Sequence, residues 1–337
     1  MPWRGSNDPY SIWVSEVMLQ QTTVGAVRGR YESFLARFPD VHSLAAAPRD
    51  DVLAEWSGLG YYARARNLHA AAEIVAREHG GRVPSDPAVL RRLPGFGEYM
   101  SAAVASLAYG VRAPAADANV ERVVSRLFAI DGVAGSRAHR ALVLEAAERL
   151  LPHDRPGDLI AAFMDLGQTI CTPRSPACGI CPLLSDCAAV ARGDPARYPK
   201  KSPRPPVVRI AYAAADARRR GRILMVRRPA GLLGGLWELP SAEGATPAAA
   251  RLALSRRLRA LGLRLDLSAP RHFVSHTIVR RRLEVEILPA IPAREAAAKS
   301  AAGPETKWFR PDELESAAIP TLTRKIARAG GFLPPKL

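Results

Sequence analysis

"CTPRSPACGICPLLSDC", residues 171–187, holds all four cysteines of a 337-residue chain. Such clustering means that the sulfurs act together, as two disulfides, a zinc site or an iron–sulfur cluster. No apolar run of signal-peptide type opens the chain, and no window approaches the roughly twenty apolar residues that cross a bilayer. A cytoplasmic location is therefore expected, where thiols stay reduced, and a chain that is 48% hydrophobic can build its core without disulfides. Metal remains. Zinc knuckles usually come as two short C-x2-C pairs. Here only Cys178 and Cys181 are that close, Cys171 and Cys187 wrap around them, and Pro173, Pro176 and Pro182 stiffen the loop. Four thiolates on one compact loop suit a [4Fe–4S] cluster, with zinc as the alternative.

The charge is distributed unevenly around this loop. The net charge of +16 favours a polyanionic partner. Residues 1–200 carry 22 basic and 21 acidic side chains, and residues 201–337 carry 26 and 11. Two domains with different roles follow from that contrast. The stretch "RGDPARYPKKSPRPPVVR" (192–209) has no helical or strand period and reads as an extended linker. Before it, helical patterns alternate with Pro/Gly turns. After it come short apolar runs such as "RILMVRRP", "RHFVSHTIV", "RRLEVEILPAIP" and "KWFRP", with one helical run, "TPAAARLALSRRLRAL". The expected order is an all-α domain over 1–194, a linker over 195–208 and an α+β domain over 209–337.

Two segments of the first part carry chemistry. In "LRRLPGFGEYMSAAVASLAYG" (90–110) a helix ends near Leu93, Pro94 stops it, Gly95 and Gly97 turn the chain, and a new helix starts at about Glu98. Free backbone N–H groups at such a restart hold a DNA phosphate without reading sequence. An ordinary helical corner has the same punctuation. In "DPYSIWVSEVMLQQTTV" (8–24) Asp8 caps a helix, Pro9 fits its first turn, and Glu16 lies among Ile12, Trp13, Val17 and Leu19. Apolar surroundings raise a carboxyl's pKa, which suits a general acid. Asp117, in "AADANVERVVSRLF", precedes a helix with an apolar face of Val120, Val123, Val124 and Leu127. As an N-cap it is a fixed, ionised carboxylate able to stabilise a cationic sugar.

Taken together, "WVSEVMLQQT", "GLGYYARARNL", "LPGFGEYM", "DANVERV", "MDLG" and the cysteine loop resemble, in order, the endonuclease III superfamily of DNA glycosylases, and within it the adenine glycosylase branch. The resemblance implies a helix-hairpin-helix domain with an iron–sulfur cluster loop, followed by a Nudix-like domain. It implies a [4Fe–4S] cluster on Cys171, Cys178, Cys181 and Cys187, with Arg174 and Arg192 offered to DNA. It makes Glu16 the acid that protonates the leaving adenine, Asp117 the stabiliser of the oxocarbenium ion, and Asn119 an ordering residue. Gln20, Gln21 and Tyr61 match positions that wedge the duplex, while Pro94, Gly95 and Gly97 hold its backbone. Tyr99 stands where strand-cleaving relatives place a lysine nucleophile, and residues 1–199 contain no lysine. Hydrolytic base removal follows. The implied partner is double-stranded DNA with 8-oxoguanine:adenine or guanine:adenine mispairs, bound by a cytoplasmic, nucleoid-associated monomer.

The second domain resembles a Nudix fold from "ILMVRRPAGLLGGLWELPS" onward. Its helix carries Arg256 and Arg257 where a working Nudix hydrolase needs metal-binding glutamates. Val274-Ser275-His276 stands where the branch usually has a Phe-Ser-His loop, so Ser275 and His276 are expected to hydrogen-bond 8-oxoguanine. Three departures stand out: a family helix expected before "MPWRGSNDPY", Ala118 in place of a glycine, and Ala161 in place of a polar residue facing the adenine. The competing readings are a pyrimidine-damage glycosylase with lyase activity, a nucleotide pyrophosphatase and an inactive DNA-binding relative.

Overall fold

The computed structural model describes residues 1–203, 205–229, 231, 233–292 and 305–335. Arg204 of the expected linker and residues 293–304 of the expected second domain lie outside the described residues. Two compact units emerge: residues 1–46 with 66–204, and residues 47–65 with 205–337.

Along the chain the helices run α1 (Pro9–Leu19), α2 (Val24–Arg37), α3 (Val41–Ala46), α4 (Arg49–Glu55), α5 (Ala63–Glu78), α6 (Pro87–Leu90), α7 (Glu98–Tyr109), α8 (Ala118–Leu127), α9 (Arg137–Leu150), α10 (Pro156–Thr169) and α11 (Ala188–Ala191). Asp8 caps α1, accepting from the amides of Tyr10 and Ser11 at 3.3 and 2.9 Å. Every residue from Tyr10 to Met18 is buried, as expected of a helix that is apolar all round. Helix α7 is the second central rod, buried from Met100 to Ser106 and closed by Gly110 in the left-handed conformation. The stripe Val120, Val123, Val124 and Leu127 predicted from sequence is buried. Its three valines join the cluster that holds Val143 and Ala147 of α9 and Ile160, Phe163 and Met164 of α10.

Two glycines let α10 close on its neighbours. A Cβ on Gly157 would meet the Ser106 carbonyl oxygen at 2.5 Å, and one on Gly167 would meet Asn119 Cβ at 2.7 Å. The stretch read as an extended linker is partly anchored. Tyr198 is buried and Lys200 forms a bridge to Val133, because an aromatic ring among the prolines has apolar surface to hide.

The second unit adds β1 (Val208–Arg219), β2 (Arg222–Arg227), β3 (Trp237–Glu238), β4 (Ser241–Gly244), α12 (Pro247–Ala260), β5 (Leu265–Leu267), β6 (His272–Ile278), β7 (Arg281–Pro292), β8 (Thr306–Phe309), α13 (Pro311–Ser316) and α14 (Thr321–Ala329). The central path is β3-β2-β1-β7-β5; β4 pairs with β1, β6 with β7 and β8 with β2. β1 and β7 run parallel, with Val208 opposite Arg281 and Tyr212 opposite Val285. Period-two alternation divides the sheet into two faces. Tyr212, Ile223, Met225, Leu283, Val285 and Ile287 pack with Leu322 and Ile326 of α14. Ala213, Ala215, Leu224, Val226 and Leu288 pack with Ala250, Leu254 and Leu258 of α12. The result is a helical domain followed by an α/β sandwich with α14 on one face of the sheet and α12 on the other.

Candidate active site and iron–sulfur loop

Glu16 is 4% exposed, and its Oε2 accepts from the Tyr99 hydroxyl at 2.6 Å. Burial pushes its pKa above the usual carboxylate range, and the negative charge of Asp117 adds to the rise. The Tyr99 hydrogen bond and the charge of Arg4 pull in the opposite direction. Arg4 is held in turn by Asp165 at 2.8 Å. Tyr99 itself is pushed well above its ordinary value, first by burial and then by Glu16 and Asp117. The phenol therefore donates and keeps its proton.

Asp117 caps α8 as its sequence position predicts. Its Oδ1 accepts from the Asn119 and Val120 amides at 2.9 and 2.7 Å, and Asn119 Nδ2 donates to Oδ2 at 2.8 Å. Three donors on one carboxylate fix its direction. The next partner was not singled out from sequence. Arg122 Nη2 donates to Asn119 Oδ1 at 2.9 Å and to the Gly167 carbonyl at 2.6 Å, and Arg122 Nε donates to the Cys171 carbonyl at 2.7 Å. The spacing 119, 122, 126 puts Asn119, Arg122 and Arg126 along one helical stripe, but nothing local distinguishes these arginines from solvated ones.

At the hairpin, Gly95 has φ +82° and its missing Cβ leaves room for Asn67, whose own Cβ would lie 2.9 Å away. Glycine is required there. Gly97 differs from expectation: φ is −87°, any residue adopts it, and nothing lies within 4 Å of a Cβ placed there. Its contribution is an open approach to the first turn of α7, next to half-buried Pro94. Gln20 is half-buried, while Gln21 and Tyr61 are exposed with φ of 53° and 45°. Left-handed backbone at non-glycine positions is strained and concentrates at functional segments.

The four cysteines are unpaired and partly accessible. Cys178 lies within electrostatic range of the other three. Arg126, 2% exposed, donates to Cys171 Sγ at 3.2 Å. Four thiols on one short loop beside a buried cation are a donor set for an anionic [4Fe–4S] cluster. Arg174 and Arg192 are exposed, and Arg192 Nη1 also donates to the Tyr198 hydroxyl at 3.2 Å.

In the second unit, Ser275 and His276 lie on strand β6 and not in a loop; the turn comes later, at Val279 with φ 57°. Neighbouring strand residues face opposite sides, so Ser275 and His276 lie on different faces of β6. Val274 and Ile278 pack on the core, which puts His276 on the inner face. Burial and the charge of Lys325 lower its pKa and favour the neutral ring. Ser275 shares the outer face with Phe273, 68% exposed, and the Ser275 carbonyl accepts from Lys325 Nζ at 2.8 Å. The aromatic ring missing at 274 stands one residue earlier. On α12, Arg257 Nη1 donates to the buried Glu238 at 3.1 Å, and Arg228 donates to the same carboxylate at 2.7 Å. Arginine charge thus occupies the face where a Nudix hydrolase gathers acids.

Comparison with known proteins agrees with this anatomy. Residues 14–149 match the HhH-GPD superfamily of base excision DNA repair proteins, residues 171–187 the iron–sulfur binding domain of endonuclease III, and residues 212–329 the NUDIX domain. The structure resembles that of a thermostable thymine-DNA glycosylase, with a TM-score of 0.51 and 33% identity over 57% of this chain and 88% of that one. The adenine DNA glycosylase of Mycobacterium tuberculosis is 42% identical over 68% of this chain and 74% of its own length. The human adenine DNA glycosylase is 31% identical over 97% of this chain and 70% of its own length. With the hairpin domain, the cysteine loop and the sheet domain in their expected order, the chain belongs to the adenine DNA glycosylase family.

Proposed function

We propose that this chain excises adenine opposite 8-oxoguanine or guanine in duplex DNA by hydrolysis alone, with Glu16 as acid and Asp117 as fixed anion. One observation carries the reading: a buried carboxyl held at 2.6 Å by Tyr99 and sensing the charge of Asp117. The adenine must leave the stack before a side chain reaches it. The Gly95–Gly97 turn holds a phosphate, and Gln21, strained and exposed, takes the vacated space. Glu16 then gives its proton to N7 of the adenine. The C1′–N9 bond breaks, its electron pair leaves with the base, and positive charge develops on the sugar. Asp117, held in place by Asn119 and Val120, stabilises that charge. Water adds its oxygen to C1′ and returns a proton to the Glu16 carboxylate, the division of labour known for paired carboxylates in sugar hydrolysis.

No amine takes part. Tyr99 occupies the nucleophile's position in strand-cleaving relatives, and its phenol is engaged with Glu16, so no Schiff base forms. A [4Fe–4S] cluster on Cys171, Cys178, Cys181 and Cys187 supplies covalent crosslinks that hold the loop carrying Arg174. In the second unit we assign 8-oxoguanine recognition to the outer face of β6, with Ser275 as hydrogen-bonding group and Phe273 as ring. The protein acts as a monomer on chromosomal DNA in the cytoplasm; among the described residues no helix is long and apolar enough to cross a membrane.

Single-turnover adenine release from duplexes that differ only in the base opposite adenine tests the reading. Release is expected to be fastest opposite 8-oxoguanine, slower opposite guanine and lost in Glu16→Gln, which still binds the duplex. Base release by Glu16→Gln at the wild-type rate, or borohydride trapping of an enzyme–DNA adduct, overturns it.

A further inference from the structure

The guanidinium of Arg126 is buried, yet among the described residues no carboxylate pairs with it. Its four acceptors are the carbonyls of Tyr198, Thr172 and Pro173, at 3.0, 2.8 and 3.3 Å, and Cys171 Sγ at 3.2 Å. Its own carbonyl oxygen lies 3.5 Å from Cys187 Sγ. One residue of α8 therefore touches the first and the last cysteine of the loop, through its side chain and its backbone respectively. Four carbonyl and sulfur acceptors take four of the five N–H donors of the guanidinium and leave its charge unneutralised. A buried cation without a counterion is strongly destabilising. Arg122, one helical turn earlier, donates to the Cys171 carbonyl and adds positive charge to the same place.

We propose that Arg126 is a positioning residue for the iron–sulfur cluster: a fixed internal counter-cation that retains the cluster and sets its reduction potential. A cluster held by four thiolates is a net anion, and hydrogen bonds to its sulfurs raise its potential. A guanidinium donating to Cys171 Sγ stabilises the electron-richer state, so the cluster gives up an electron less readily. The carbonyl contacts pin residues 171–173 and the Tyr198 segment to α8, which keeps the loop closed around the cluster. The inference rests on the cluster assignment and not on adenine chemistry. A wild-type protein without iron removes the cluster itself, an outcome separate from any result with the variants.

The test uses the full-length, cluster-loaded protein and two variants. Arg126→Met removes the charge at similar length; Arg126→Lys keeps it as a point charge and loses the fork. Iron content, visible absorbance, cluster loss to a ferrous-iron chelator and midpoint potential by film voltammetry are measured. Arg126→Met is expected to lose its cluster about 10–100-fold faster, the usual cost of removing an outer-shell partner, with a more negative midpoint potential. Arg126→Lys is expected to restore the potential while retention recovers only in part. Wild-type retention and potential in Arg126→Met overturn the proposal. Where Arg126→Met cannot be obtained loaded, Arg126→Lys decides: a wild-type potential supports the counter-cation, and a shifted one overturns it.

Discussion

Tyr99→Phe isolates one hydrogen bond at the centre of the proposed mechanism. The substitution removes the hydroxyl 2.6 Å from Glu16 Oε2 and keeps the ring. The bond favours the carboxylate, so its loss moves the Glu16 pKa further up, in the direction that burial already sets. Two effects with opposite signs follow. More enzyme carries the proton at neutral and basic pH, so the basic limb of the pH–rate profile moves to higher pH. The acid is also weaker, because the carboxylate formed on proton transfer has lost a stabilising donor. Hydrogen bonds to charged groups contribute about 1.5–3 kcal/mol, and each tenfold in rate is about 1.4 kcal/mol. Single-turnover adenine release at the plateau is therefore expected to slow by about ten- to a hundredfold. Release is measured with enzyme in excess across the accessible pH range. A plateau rate equal to wild type together with an unmoved basic limb refutes the claim that Tyr99 tunes Glu16.

Three other perturbations follow from the same geometry. Because the folded pKa of Glu16 lies above its unfolded value, the native state holds the extra proton, so stability is full below the unfolded pKa and declines as pH rises through the folded one; Glu16→Gln should remove that decline, read from urea midpoints against pH. Gly167→Ala drives a methyl against Asn119 Cβ, 2.7 Å away, and is expected to lose about 1–3 kcal/mol of stability and to slow base release, whereas Gly193→Ala, with nothing within 4 Å but φ +78°, loses stability without touching the rate. Arg219, Arg220 and Arg222 crowd the exposed β1–β2 turn; changing all three to alanine should flatten the log–log salt dependence of DNA binding by about 0.9 per lost phosphate contact, and an unchanged slope places the duplex elsewhere.

How far the sequence foretold this depends on the scale of the forces involved. The caps at Asp8 and Asp117, the apolar burial of Glu16 and the stripe of α8 were legible because each rests on neighbours within a few residues. Strand β1 was not. "AYAAADA" (211–217) is built from alanine, a strong helix former and poor strand former. What makes it a strand is ten residues of parallel register with β7, 73 positions downstream in sequence, and no local pattern announces such a partner. The same reason hid the counter-charge. Arg122 and Arg126 read locally as ordinary helical arginines, and only the return of the chain at 171–173 and 198 turns them into buried donors. Ser275 and His276 show the reverse case. A motif matched as a string treats adjacent residues as companions, but a strand sends them to opposite faces, so the side chain that shares a face with Ser275 is Phe273, two positions away. Local order reveals which chemistry is present; which groups act together is decided by the periodicity and the long-range closure of the fold.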